Sequence, residues 1–249
     1  MIQELFSLSG KRALVTGGNS GIGKGMAMAL SHAGADVVIV GRNAEKVKTA
    51  VAEISENSNS CRGISFNLIE EPLQNLTSQL SDIDILVNAA GINLRQPVDN
   101  ILEKDWDQTL HINLKTPFFL AQLLVKKMIQ KGWGRIINVA SLQSQRAFKN
   151  GLAYGASKGG VVQLTRAMAE AWSDKGINTN AIAPGFFPTP LTQPLFDNPK
   201  AVQKLAAQTA IGRNGTMDDL LGITIFLASV ASNYVTGQVI YLDGGYTAK

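Results

Sequence analysis

The stretch "RALVTGGNSGIG", residues 12–23, decides how the rest of the chain is read. A short, continuously apolar run passes into a glycine-rich turn, and a helical pattern opens behind it and runs over 21–33. Glycines in such a turn let the chain bend sharply and bring backbone N–H groups close to a pyrophosphate, with the positive end of the helix behind them. The spacing is T-G-x3-G-x-G rather than the more general G-x-G-x-x-G, but its place between strand and helix makes it informative. Gly17, Asn19, Ser20, Gly21, Ile22 and Gly23 are therefore candidate cofactor-contacting residues.

Outward from this turn the same rhythm repeats. "DVVIVG" precedes a helical pattern over 44–56, and "GISFN" precedes one over 70–80. "DILVNAAG" leads into a long helical region over 103–131, expected to break near Pro117. "GRIINVAS" is followed by a helix over 152–174, "INTNAIAPG" by two helices within 199–230, and "GQVIYLDGG" closes the series. The strand-like runs are continuously apolar, as in strands buried on both faces. Repeated β-α-β order implies right-handed crossovers and a parallel, doubly wound α/β sheet of Rossmann type. With no composition break or repeat, residues 1–249 read as a single domain with helices on both faces of the sheet. The segment 185–199, "GFFPTPLTQPLFDNP", departs from the rhythm: its prolines argue against a regular helix and its aromatics favour burial, as in a flap over a pocket.

Composition removes whole classes of function. The chain is 45% hydrophobic and 17% charged, ample for a core, and its net charge of +4 comes from scattered residues rather than a basic stripe. That pattern argues against a nucleic-acid partner. No run of apolar residues is long enough to span a membrane, and the first residues lack the pattern of a secretory signal. One cysteine, Cys61, excludes an internal disulfide, which suits the cytoplasm; it is expected to pack in a buried strand. Two distant histidines offer no metal site.

The end of the second strand, "VVIVGRN", speaks to cofactor choice. An acidic residue there would bind the adenosine ribose hydroxyls of NAD. Gly41 occupies the place and Arg42 follows, a guanidinium suited to a 2′-phosphate, so NADP is expected in preference to NAD.

Further along, "NAAG" (88–91), Asn113 in "INL", Ser141 in "NVASLQSQ", Tyr154 and Lys158 in "AYGASKGG" and "APG" (183–185) all fall at C-terminal strand ends or on adjoining helices. Open α/β sheets bind ligands at that edge. Together these motifs resemble the short-chain dehydrogenase/reductase family over essentially the whole chain. The resemblance implies that Asn113, Ser141, Tyr154 and Lys158 are catalytic. It implies cofactor contacts from the glycine turn, Asn67, Leu68, Asn88, Ala89, Gly91, Tyr154, Lys158, Pro184, Gly185 and Thr189. Asn67 stands where the family usually has an aspartate, and Ala89 replaces a second asparagine. The family is usually tetrameric, so a homotetramer is expected, with the 216–249 region at a subunit contact.

A tyrosine at its ordinary pKa near ~10 is a poor base at neutral pH. An ammonium about 5 Å away, at an effective dielectric of about 20, favours the phenolate by ~3 kcal/mol, roughly two pKa units. On this expectation Tyr154 exchanges a proton with an alcohol or ketone as hydride moves, Ser141 holds the substrate oxygen, and Asn113 orients a water beside Lys158. The resemblance is nearest to gluconate 5-dehydrogenases and 2-deoxygluconate-type dehydrogenases, implying a sugar acid or related polyol as substrate. Arg95, Gln143, Arg146 and Phe186 join Ser141 and Tyr154 as candidate substrate contacts. A 3-oxoacyl-(acyl-carrier-protein) reductase would share every catalytic residue and is the alternative. A non-catalytic dinucleotide-binding regulator is a remote one, because none of Ser141, Tyr154 and Lys158 is lost.

Overall fold

The computed structural model describes residues 2–56 and 60–249. Its strands are β1 (Arg12–Thr16), β2 (Asp36–Gly41), β3 (Cys61–Ser65), β4 (Ile85–Asn88), β5 (Gly134–Val139), β6 (Ile177–Pro184) and β7 (Val239–Leu242). They form one seven-stranded sheet in the order β3-β2-β1-β4-β5-β6-β7, with every pairing parallel. The chain winds outward from β1 to β3, then crosses back to lay β4 against the other side of β1. That reversal opens a crevice at the C-terminal ends of β1 and β4.

Alternation along each strand sends neighbouring side chains to opposite faces. Val15, Ile39, Val87 and Ile137 enter one core, while Leu14, Val38, Leu86 and Ile136 enter the other. Helices cover both faces: α1 (Ile2–Phe6), α2 (Gly21–His32), α3 (Ala44–Ser55), α4 (Leu73–Thr77), α5 (Glu103–Leu110), α6 (Thr116–Lys131), α7 (Leu152–Trp172), α8 (Gln193–Phe196), α9 (Pro199–Gln208) and α10 (Asp219–Ala228). The sequence sets several of their ends. The Asn43 side chain accepts from Lys46 N at 2.9 Å to cap α3. Gly132, at φ +65°, closes α6 in the left-handed conformation that favours glycine.

Four local expectations change. The helical region 103–131 is not broken at Pro117. It runs on through a π turn, His111–Lys115, and Pro117 sits in the first turn of α6. Proline has no N–H to give the carbonyl four residues back, here that of Asn113, and the wider turn accommodates the loss without ending the helix. Segment 185–199 contains one helical turn, α8, because Pro194 lies in its first turn, where a missing N–H costs nothing. The helix expected over 70–80 shrinks to α4 behind Pro72. Cys61 lies on the edge strand β3, half-buried rather than enclosed, and burial still pushes its thiol up to about 11.

Thr16 ties the two sides of the crevice. Its hydroxyl donates to Val87 O at 3.3 Å and accepts from the amides of Ala89 and Ala90, both at 3.2 Å. Thr16→Val keeps the shape and removes all three bonds. We expect urea unfolding to show a loss of about 1–3 kcal/mol, the cost of unsatisfied buried groups; an unchanged midpoint would mean that the β4 end is held by other contacts.

Candidate active site

The glycine turn has the geometry its composition calls for. Gly17 and Gly21 take φ of +67° and +51°. A Cβ on Gly17 would lie 2.9 Å from the Ala90 backbone, and one on Gly23 would lie 2.3 Å from Gly17 O. Ser20 is the N-cap of α2, yet its side chain makes no capping bond, so the first N–H groups of that helix keep their donors toward the crevice. These features fit the pyrophosphate of a dinucleotide. Asn19 lies across the end of β2, where a Cβ on Gly41 would meet its Oδ1 at 2.3 Å. A carboxylate side chain at 41 would displace it. Arg42 is exposed, and no carboxylate pairs with it among the described residues.

Asn67 Oδ1 accepts from Ile69 N at 3.1 Å, turning the chain after β3, and Leu68 is buried beside it. On the other side of the crevice, Asn88 Nδ2 donates to Asn138 Oδ1 at 2.9 Å, tying β4 to β5. Its own Oδ1 is buried without a partner in the protein. Ala89 is held through its amide by Thr16. Gly91 sits close to the cluster: a Cβ there would stand 3.0 Å from Asn113 Oδ1 and 3.8 Å from Lys158 Nζ.

Asn113, in the π turn, is 1% exposed and bonded at both ends of its carboxamide. Its Oδ1 accepts from Ile92 N at 2.9 Å, and its Nδ2 donates to Ile92 O at 2.9 Å and to Ser157 Oγ at 3.0 Å. That leaves one acceptor site on Oδ1 and the Asn113 main-chain carbonyl, which Pro117 deprives of its usual donor.

On α7, Lys158 is buried and its Nζ donates to Val139 O, the last carbonyl of β5, at 2.6 Å. The ammonium lies 5.7 Å from the centroid of the Tyr154 ring. The expected direct lowering of the tyrosine is not what results. Burial raises the Tyr154 pKa above its ordinary value, and a hydrogen bond from Ser141 opposes that only in part. Burial also brings Lys158 down to about 8, so the lysine itself loses charge in the mildly alkaline range. Ser141 caps a short 3₁₀ turn, Leu142–Ser144, which fixes its backbone at the end of β5.

The structure therefore brings Asn113, Ser141, Tyr154 and Lys158 together at the crevice. Residues further out differ. Gln143 packs on the start of α7: a Cβ on Gly151 would meet its Oε1 at 2.4 Å and one on Gly155 at 3.7 Å. Arg95 is exposed after β4. Arg146 is exposed and donates to Lys249 O at 3.2 Å, so its guanidinium turns to the C-terminal segment. Pro184 ends β6, and Gly185 packs against Asp243, leaving no room for a Cβ. Thr189 reaches the glycine turn, its Cβ 3.1 Å from where a Cβ of Gly21 would be. Phe187 is buried in the base of the loop, whereas Phe186 joins Phe148 and Tyr246 at ring distances of 6.2 Å and 5.5 Å. Sequence reasoning missed Phe148 and Tyr246, since isolated aromatics in loops carry no spacing signal.

Comparison with known proteins agrees with this geometry. Residues 17–247 match a family model described as Enoyl-(Acyl carrier protein) reductase. The chain is 38% identical over 251 residues to a gluconate 5-dehydrogenase of Gluconobacter oxydans, covering 99% of this chain and 98% of the relative. It is 39% identical over 258 residues to a 2-dehydro-3-deoxy-D-gluconate 5-dehydrogenase of Escherichia coli, covering 100% of both. The crystal structure of a gluconate 5-dehydrogenase from Burkholderia cenocepacia, in complex with NADP and tartrate, superposes with a TM-score of 0.92 at 38% identity and full coverage of both chains. With the parallel sheet, the glycine turn and the Ser141–Tyr154–Lys158 cluster already in place, this chain belongs to the short-chain dehydrogenase/reductase family of oxidoreductases.

Proposed function

We propose that the protein interconverts a secondary alcohol and a ketone on a sugar acid or related polyol, with NADP as its preferred cofactor. The observation that carries the reading is the convergence of Ser141, Tyr154 and Lys158 at the crevice beside an uncapped, glycine-opened helix. Full-length relatives with sugar-acid names favour this over reduction of a 3-oxoacyl thioester.

A bound nicotinamide dinucleotide supplies the hydride acceptor in oxidation and the donor in reduction. The glycine turn, Asn19, Ser20 and Ile22 receive its pyrophosphate end, Arg42 the 2′-phosphate, and Asn67 and Leu68 the adenine side. Asn88, Ala89, Gly91, Pro184, Gly185 and Thr189 enclose the nicotinamide half. Tyr154 Oη takes the alcohol proton in oxidation and returns it to the carbonyl oxygen in reduction, while the Ser141 hydroxyl holds that oxygen. Lys158, charged below about pH 8, stabilises the phenolate and holds the cofactor ribose. Gln143, reaching over the start of α7, is the best-placed substrate contact. Arg95, Arg146 and Phe186 line the outer approach, with segment 185–199 as the substrate loop of the single domain. Homotetrameric assembly in the cytoplasm belongs to the same proposal. Exposed Phe119 and Leu152, on α6 and α7, supply apolar surface for association, and no helix of the described residues is long and apolar enough to cross a membrane.

Tyr154→Phe should lower turnover by about 10²–10⁴, the usual contribution of a general acid–base group, while NADPH binding by fluorescence titration persists. The phenolate form grows with pH, and burial moves that growth above the ordinary tyrosine range. Oxidation should accelerate toward alkaline pH and reduction should slow. A phenylalanine variant retaining parental turnover would remove Tyr154 from the chemistry.

Arg42→Ala should weaken NADPH about 10- to 100-fold with little effect on NADH, consistent with loss of a hydrogen bond to a charged group. Equal weakening of both cofactors would assign Arg42 to the surface alone.

The substrate class is tested by initial rates with NADP⁺ and NAD⁺ on gluconate, 2-deoxygluconate and their neutral polyol analogues, with acetoacetyl thioesters and NADPH in reverse. Turnover of an aldonate but not of its neutral analogue is the expected result. Thioester reduction alone would overturn the sugar-acid assignment.

A further inference from the structure

Ser144 lies three residues beyond Ser141 on the same 3₁₀ turn, and its hydroxyl joins two segments. Ser144 Oγ donates to the main-chain carbonyl of Lys158 at 2.8 Å and accepts from the amide of Ser141 at 3.3 Å. One oxygen atom thus spans from the backbone of Ser141 to the backbone of Lys158, in the helix that also carries Tyr154. The Ser141 hydroxyl also accepts from Gln143 N at 3.2 Å within its own turn.

The arrangement repeats one turn earlier in the helix. Ser157 Oγ donates to the carbonyl of Tyr154 at 2.7 Å and accepts from Asn113 Nδ2 at 3.0 Å. The two carbonyls of the Tyr154–Lys158 pair are each gripped by a serine hydroxyl, one tied to the π turn and the other to the Ser141 turn. Inside helix α7 a carbonyl has a backbone donor of its own, so these additional bonds are not needed to form the helix. They fix where the helix stands relative to its neighbours.

We propose that Ser144 is a positioning residue that sets the separation between the Ser141 hydroxyl and the Tyr154 phenol. It does not touch the substrate; it acts by holding the 3₁₀ turn against α7 at Lys158. The inference rests on the reading of Ser141 and Tyr154 as the proton-handling pair. Its distinctive consequence is electrostatic. The Ser141 hydrogen bond favours the phenolate, so a turn that drifts from α7 leaves Tyr154 harder to ionise.

The test compares Ser144→Ala, which removes both bonds, with Ser144→Thr, which keeps a hydroxyl able to donate and accept. Tyr154 ionisation is followed by phenolate absorbance, each protein being subtracted against its own Tyr154→Phe counterpart. Initial rates with gluconate and NADP⁺ and NADPH affinity by fluorescence are measured alongside. In Ser144→Ala the Tyr154 midpoint should move to higher pH by about half a unit or more, roughly threefold in ionisation. Its kcat should fall about tenfold or more, as small misplacements at a reacting centre do, with NADPH affinity within about twofold. Ser144→Thr should restore both the midpoint and kcat.

An unmoved midpoint in Ser144→Ala would overturn the proposal, whether or not any aldonate is turned over. So would a threonine variant as impaired as the alanine one, or parallel loss of NADPH affinity and far-UV circular dichroism, which would mark Ser144 as a general structural residue. Failure of the underlying catalytic reading has a different signature, namely turnover that survives Tyr154→Phe in an otherwise parental protein.

Discussion

The Asn113 carboxamide is the joint on which the site depends. By closing on both the amide and the carbonyl of Ile92 it anchors the chain leaving β4, and by donating to Ser157 it anchors α7. Three pieces of chain distant in sequence thereby share one buried side chain. A buried amide is stable only when its donors and acceptors are paired, so each of the three is held to a narrow position. Gly91 lies close beside that amide, where a Cβ would press on Asn113 Oδ1 at 3.0 Å.

Burial also decides the electrostatics. Lys158 is buried and Tyr154 partly so, and both are pushed toward their neutral forms. Lys158 keeps its place through a bond to the Val139 carbonyl at the end of β5, without a carboxylate counterion among its hydrogen-bond partners. A pair in which desolvation disfavours the charged form of each member responds strongly to any added charge or hydrogen bond, because the medium around it screens little. Small displacements of the Ser141 hydroxyl therefore have large leverage on the ionisation of Tyr154.

The outer part of the crevice is built differently. Phe148, Phe186 and Tyr246 come from three loops and meet as rings, and Asp243 pins the C-terminal turn by accepting from Gly245 N, Thr247 N and Thr247 Oγ1. Arg146 and Lys249 extend the same association, the first reaching Lys249 O and the second Thr209 O. The inner site is thus fixed by buried hydrogen bonds and its rim by aromatic packing and exposed polar contacts.

Much of this was legible in the sequence. Continuous apolar runs announced strands buried on both faces, and glycines at 17, 21 and 23 announced a turn that only glycine can make, because these are local demands of sterics and burial. Tyr154 and Lys158 shared a helical face by their spacing alone. Tertiary structure decided the rest. Pro117 reads as a helix break, but packing carried the helix past it through a π turn. That Arg146 donates to Lys249 O is a contact only the fold makes. The upward shift of Tyr154 depends on how much water the assembled crevice excludes, and the Ser144 bridge on a distance between two segments. Spacing along a chain specifies which residues can share a face; desolvation and the meeting of distant segments exist only once the chain has closed on itself.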